Sequence, residues 1–181
     1  HRHDKDEKSA AIRRPEERIA EVANVALRNF VAQRAVAHEV RAGAFVVTEA
    51  GFAADLGAEK FLDIKCVSAG LKPSAAVIVA TVRALRHHGG AKKGEYEKPN
   101  LAAVEKGIEN LKKHIENGFK WQLKPIVAIN HFATDSEEEI NFVKAECEKL
   151  GVKAILADEF TMGGEGMKAL AEEVASCAFN C

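Results

Sequence analysis

An α/β fold, a parallel sheet with helices on both faces, is what this sequence predicts, and three observations carry it. Four short runs, AFVVT (44–48), AAVIVAT (75–81), PIVAIN (125–130) and VKAILA (152–157), are almost continuously apolar, as strands covered on both faces are. Stretches with a 3.6-residue apolar period lie between them. Strand and helix alternating in this way imply right-handed crossovers, and therefore strands running in one direction with helices packed against them.

The elements follow in order. The opening HRHDKDEKSAAIRRPEER is dense in charge and nearly free of large apolar groups, so burial cannot offset the entropy of ordering it, and a charged mobile tail is expected. From Pro15 to Val40 the positions of Ile19, Val22, Ala26, Phe30 and Val31 near one face predict an amphipathic N-terminal helix. Residues 1–43 are thereby set apart from an α/β domain over 44–181. Within that domain a first helix is expected over Gly57–Ala69. Leu101, Val104, Ile108, Leu111 and Ile115 mark a second, and Ile140, Val143, Cys147 and Leu150 a third. The third has a defined start and stop, because Ser136 with Glu139 can form a capping box and Gly151 stands where a left-handed residue ends a helix. A fourth helix is expected over Gly166–Ser176.

Composition narrows the classes of function. A chain of 181 residues suits one domain. Its 26 Lys plus Arg balance 27 Asp plus Glu for a formal net charge of −1, so no global field draws it to nucleic acid or to anionic lipid. Small-molecule partners fit better. No apolar run reaches the roughly 18 residues of a membrane span, and the first residues are charged where a secretory signal is apolar, so a cytoplasmic setting is expected. Cys66, Cys147, Cys177 and Cys181 form no CxxC pair, and they read as thiols in a reducing compartment rather than as a disulfide or zinc framework.

Ligands of open parallel sheets sit beyond the carboxyl ends of the strands, and those ends are unusually polar and aromatic here. They read Thr48-Glu49 with Phe52 beyond, Thr81-Val82-Arg83, Asn130-His131-Phe132-Ala133-Thr134-Asp135, and Asp158-Glu159-Phe160. Phe52, Phe132 and Phe160 are either core residues or rings that stack on a flat heterocycle. Glu49 and Asp55 either cap the helix near Gly57 or orient a polar ligand or cation. Arg83 either bridges to Glu49 or Asp55 or meets a phosphate or carboxylate. His87 and His88 are adjacent, with diverging side chains, and with His114 and His131 scattered they make a poor metal set. GGEG at 163–166 precedes a helix, where bare amides can meet an anion or simply turn the chain. No GxxxxGK[ST] phosphate loop occurs.

Several strings, in order and spacing, carry a specific resemblance: VVTEAGFAADLGAEKFLDIKC, VATVRALRHHGG, NLKKHIEN, VAINHFATD and GGEG. From about Phe45 to Ala175 the chain resembles the formate–tetrahydrofolate ligase family, with Arg86 where lysine is usual, while residues 1–43 do not match it. The resemblance implies a Rossmann-like, P-loop-NTPase-like three-layer fold. It also implies a ligase of one-carbon metabolism that joins formate to tetrahydrofolate at the expense of ATP, through formyl phosphate, giving 10-formyltetrahydrofolate, ADP and phosphate. ATP with Mg and tetrahydrofolate are then substrates, and a monovalent cation is admitted. The partners are a second copy of the chain or the remainder of a longer ligase.

By resemblance Phe132 lines the slot for the flat ligand, followed by Ala133 in place of the family's proline. Phe160 stands where a tryptophan faces it, and Leu156 lies along it. The segment with Glu49, Phe52, Asp55 and Gly57 belongs to the ligand site, with Ala53 in place of a glycine, a replacement expected to strain the loop if a positive φ is required there. The family's phosphate-loop lysine and formyl-phosphate arginine have no counterpart in these residues, so the catalytic groups are unassigned. The expectation is an incomplete ligase, inactive alone. The rival expectation is a non-catalytic α/β binding or interaction module derived from the same family.

Overall fold

The computed structural model describes residues 30–34, 45–50 and 53–179. Five strands, β1 Phe30–Arg34, β2 Phe45–Glu49, β3 Ala75–Ala80, β4 Pro125–Asn130 and β5 Ala154–Ala157, form one sheet in the order β2-β1-β3-β4-β5. Neighbours β3, β4 and β5 are parallel, with Ala80 opposite Ile129 and Asn130 opposite Ala157. β1 is antiparallel to both β2 and β3. The four apolar runs therefore do share one direction, with one reversed strand among them, and the sheet is mixed rather than parallel throughout.

That reversed strand corrects the N-terminal helix expected over 15–40. Phe30–Arg34 is extended and hydrogen-bonded along both edges, opposite Glu49 to Phe45 on one side and Val77 to Ala75 on the other. Pairing on two sides overrides a local helical period. The rest of that expected helix and the charged tail lie outside the described residues. The division at 43/44 falls between two paired strands.

Helices cover both faces. On one side lie α2 Val82–His88, α3 Leu101–Lys120 and α4 Glu137–Lys149; on the other lies α6 Lys168–Phe179. β4 shows why every position of a central strand is apolar: Val127 and Ile129 pack with Val104, Ile108, Leu111 and Ile115 of α3, while Ile126 and Ala128 pack with Leu170 and Val174 of α6. Each large side chain so buried contributes roughly 1.5–3 kcal/mol. α2, which no local period reveals, starts at Thr81, whose hydroxyl accepts the Ala84 N–H at 3.1 Å. It crosses α3 so closely that a Cβ on Gly107 would lie 1.9 Å from the Leu85 carbonyl oxygen.

The caps of α4 are as expected. The Ser136–Glu139 capping box is complete, and beyond Leu150 the left-handed Gly151 (φ 71°) lets the Val152 N–H return to the Cys147 carbonyl at 3.0 Å. α5 Glu159–Met162 and a 3₁₀ turn at Gly163–Met167, which contains GGEG, lead into α6.

The helix α1 departs from expectation at its start. Wide π-type turns run over Ala53–Ala58 and Lys60–Cys66 and close in a last α turn at Val67–Ala69, so the helix begins four residues before Gly57. Ala53 opens it with φ 59°, the left-handed region where a Cβ is penalised by roughly 1–2 kcal/mol. The strain expected from alanine in place of a family glycine is thus present. Ala53→Gly should raise stability by about 1 kcal/mol, read as a higher urea midpoint at unchanged slope; an unchanged or lower midpoint would show that the left-handed turn carries no strain.

Candidate functional site

β3, β4 and β5 end almost level, because Ala80 faces Ile129 and Asn130 faces Ala157. Their carboxyl ends carry Thr81 and Arg83, His131 to Asp135, and Asp158 to Phe160 onto one rim. β2 does not reach it. Glu49 is level with Phe30 and hence with Val77, three residues below Ala80, or about 10 Å down the sheet.

A buried ion pair fixes the rim. Arg86 of α2 is fully buried, and its Nε and Nη2 donate to Oε1 and Oε2 of Glu139 in α4 at 2.8 and 2.6 Å. Its remaining donors reach the Tyr96 carbonyl at 2.7 Å and the Thr134 carbonyl at 3.1 Å, with Asp135 Oδ1 at 3.5 Å. Glu139 also accepts from the Asn100 and Ser136 N–H groups and the Ser136 hydroxyl. Burial pushes Glu139 up, but Arg86 and these further donors outweigh it and hold the carboxyl at about 2. Asp135 goes the other way: burial pushes it up, against the Phe132 N–H and Arg86.

The residues expected to line the slot attach to this frame. The Phe132 N–H donates to Asp135 Oδ2 at 3.0 Å, and the half-buried ring lies under the Arg83 guanidinium, 4.2 Å from Cζ to the ring centre. Arg83 pairs at its outer edge with Glu97 at 3.3 Å. The ion pair of Arg83 is therefore with Glu97 and not, as expected for a bridge, with Glu49 or Asp55. Ala133 is exposed beside Phe132, and Leu156 of β5 is part-buried against the α2–α4 face. Phe160, in α5, is 95% exposed, so no aromatic clamp is closed over Phe132.

His131 Nδ1 lies 3.5 Å from Asp158 Oδ2 and ties the ends of β4 and β5. Thr161 above all, and His131 beside it, hold Asp158 below the ordinary carboxylate range. His87 and His88 do not diverge, since their rings stand 5.4 Å apart and His87 Nδ1 is 3.1 Å from the Tyr96 hydroxyl. No cluster of three or more His, Cys, Asp or Glu suited to a metal ion occurs among the described residues.

The remaining candidates form a second, separate group. Glu49 is exposed at the end of β2, Asp55 is exposed in the first turn of α1, and Gly57 is buried one half-turn on. Phe52 lies outside the described residues. α1 packs toward the beginning of β4, around an apolar cavity lined by Ala54, Ala58, Leu62, His114, Trp121 and Pro125. Trp121 Nε1 donates to Asp63 there at 2.9 Å. Burial pushes the His114 imidazole down against the charge of Asp55. The structure thus brings Phe132, Ala133, Leu156 and Phe160 to one edge and leaves Glu49, Asp55 and Gly57 off it. Arg86 and Glu139, 53 positions apart, are the pair that no local signal joins.

Fold and rim define an α/β protein of the kind that takes a ligand beyond its strand ends. Residues 19–180 match the family described as "Formate--tetrahydrofolate ligase", so the match also takes in residues 19–43. The chain is 56% identical over 136 residues to a formate–tetrahydrofolate ligase of Maricaulis maris, and 56% identical over 132 residues to one of Methylococcus capsulatus. These alignments cover 75% and 72% of the chain and 24% of each relative, so the chain spans about a quarter of the length of these curated relatives. It belongs to the formate–tetrahydrofolate ligase family. Among the described residues no helix is long and apolar enough to cross a membrane.

Replacing Glu139 should be severe and pH-dependent. Its folded-state value near 2, against an ordinary 4.5, corresponds to about 3 kcal/mol, fully present above pH 4.5 and lost as pH falls through 2. Glu139→Gln should therefore destabilise by about 3–5 kcal/mol at neutral pH, with the difference from the unaltered chain narrowing between pH 5 and 2 in urea titrations. A gap that stays constant with pH would refute the pairing. Asp135→Asn should change stability by under about 1 kcal/mol, because burial already disfavours that charge and the amide oxygen can still accept the Phe132 N–H.

Proposed function

We propose that this chain supplies the planar-ligand slot of a formate–tetrahydrofolate ligase, the enzyme that forms 10-formyltetrahydrofolate from formate, tetrahydrofolate and ATP through formyl phosphate. The observation that carries the reading is the half-buried Phe132, set on the carboxyl rim of adjacent parallel strands in a chain 56% identical to named ligases. One face of adenine or of the pterin stacks on Phe132. Phe160, exposed on the short helix after β5, closes on the other when ligand is present, and Leu156 and Ala133 border them. Flat rings gain roughly 0.5–1.5 kcal/mol from such contacts beyond simple burial.

Phosphate binding and formyl transfer belong, on this reading, to residues outside the stretch, so the chain alone is inactive. Magnesium enters as the ion carried on the ATP phosphates. Exposed Leu56, Ile64 and Val67 along α1 support packing against a second copy or against further ligase chain, in the cytoplasm where the substrates are. Glu49, Asp55 and Gly57 serve the site by placing α1 rather than by touching the stacked ring.

The 95% exposure of Phe160 is also what a non-catalytic module of the family would show. Calorimetric titration with MgATP and with tetrahydrofolate separates the two readings. Binding of at least one ligand, weakened about tenfold or more by Phe132→Ala, is expected. A folded chain that binds neither would leave the module reading standing.

A further inference from the structure

Resting on the slot reading above, we propose that Arg83 is a positioning residue: it occupies one face of the Phe132 ring, holds the ring in its stacking orientation, and leaves a single face for the planar ligand. The guanidinium carbon lies 4.2 Å from the ring centre, within the range of a cation–π contact. Arg83 sits in the first turn of α2, pinned behind the Thr81 cap, and β3 and β4 end nearly level, so the two side chains meet across adjacent strand ends. At its outer edge the guanidinium is held by Glu97, itself 68% exposed and therefore a weak partner. Its Nε is buried with no hydrogen-bond partner, which leaves the ring as the group that orients this end of the side chain.

Two consequences follow for recognition. A ring with one face covered can take only one flat partner, which fixes the side from which adenine or pterin enters. A cation on the far face also draws ring density toward itself, favouring an electron-rich heterocycle on the open face. Arg83 acts through the ring, so its effect should not depend on the phosphates of the ligand.

The test uses the whole chain with adenosine, MgATP and tetrahydrofolate as separate titrants, for the unaltered protein, Arg83→Met, Arg83→Lys and Phe132→Leu, and for Arg83→Met combined with Phe132→Leu. Circular dichroism and urea midpoints report that each variant is folded. Arg83→Met should weaken adenosine and MgATP by the same factor, about three- to tenfold. Arg83→Lys should recover part of that loss. In the Phe132→Leu background, where no aromatic face remains, Arg83→Met should cost nothing further. A loss confined to MgATP would show direct contact with phosphate, an equal loss in the Phe132→Leu background would show a role independent of the ring, and no loss would show none; each overturns the assignment while leaving the slot intact. An unaltered chain that binds none of the three refutes the slot itself, and this assignment with it.

Discussion

The buried Arg86–Glu139 pair is the constraint on which the rim depends. One guanidinium joins α2 to α4, to the carbonyl of Tyr96 ahead of α3, and to the carbonyl of Thr134 in the loop that carries Phe132. Glu139 in turn holds the N–H of Asn100, the residue that caps α3, and both donors of Ser136. A fully buried charge is tolerable only when its donors and acceptors are nearly all engaged, and this pair meets that condition. The last turn of α2, the starts of α3 and α4 and the Phe132 loop are thus referred to one point. Where relatives are expected to carry lysine, a single ammonium cannot offer the planar fork that reaches Glu139 twice and two carbonyls besides.

From that point outward the site is a matter of register. β3, β4 and β5 end together, so short loops of different sequence deliver Arg83, Phe132 and Phe160 to one edge. β2 stops lower and is separated from them by β1, which directs α1 down the sheet toward Trp121 and Pro125. The same directional logic that sets Phe132 on the rim leaves Glu49 and Asp55 off it. The strand ends explain why Phe132 and Phe160 come to one edge.

What could be read in the sequence follows the range of the interactions concerned. The continuous apolar run of β4, the spacing of α3 and the caps of α4 are local signals, and the structure carries all of them. Phe30–Arg34 misleads because Phe30 and Val31 continue a helical period, whereas its extended state comes from partners near positions 47 and 76. α2 is too short to show a period, although Thr81 marks its start. The contact between Arg83 and Phe132 spans 49 positions and the Arg86–Glu139 pair 53, distances at which residue type alone names no partner. The left-handed Ala53 was legible only because a glycine is the family's residue at that place.

The most direct test of the rim as the ligand site is an amide shift map by two-dimensional NMR, recorded as MgATP or tetrahydrofolate is added. Perturbations concentrated at residues 81–83, 131–135 and 156–161 are expected, with the cavity under α1 at residues 54–62 and 114–121 quiet. Perturbations centred on that cavity, with Phe132 and its neighbours unmoved, would contradict the assignment and place the ligand beside His114 and Trp121 instead.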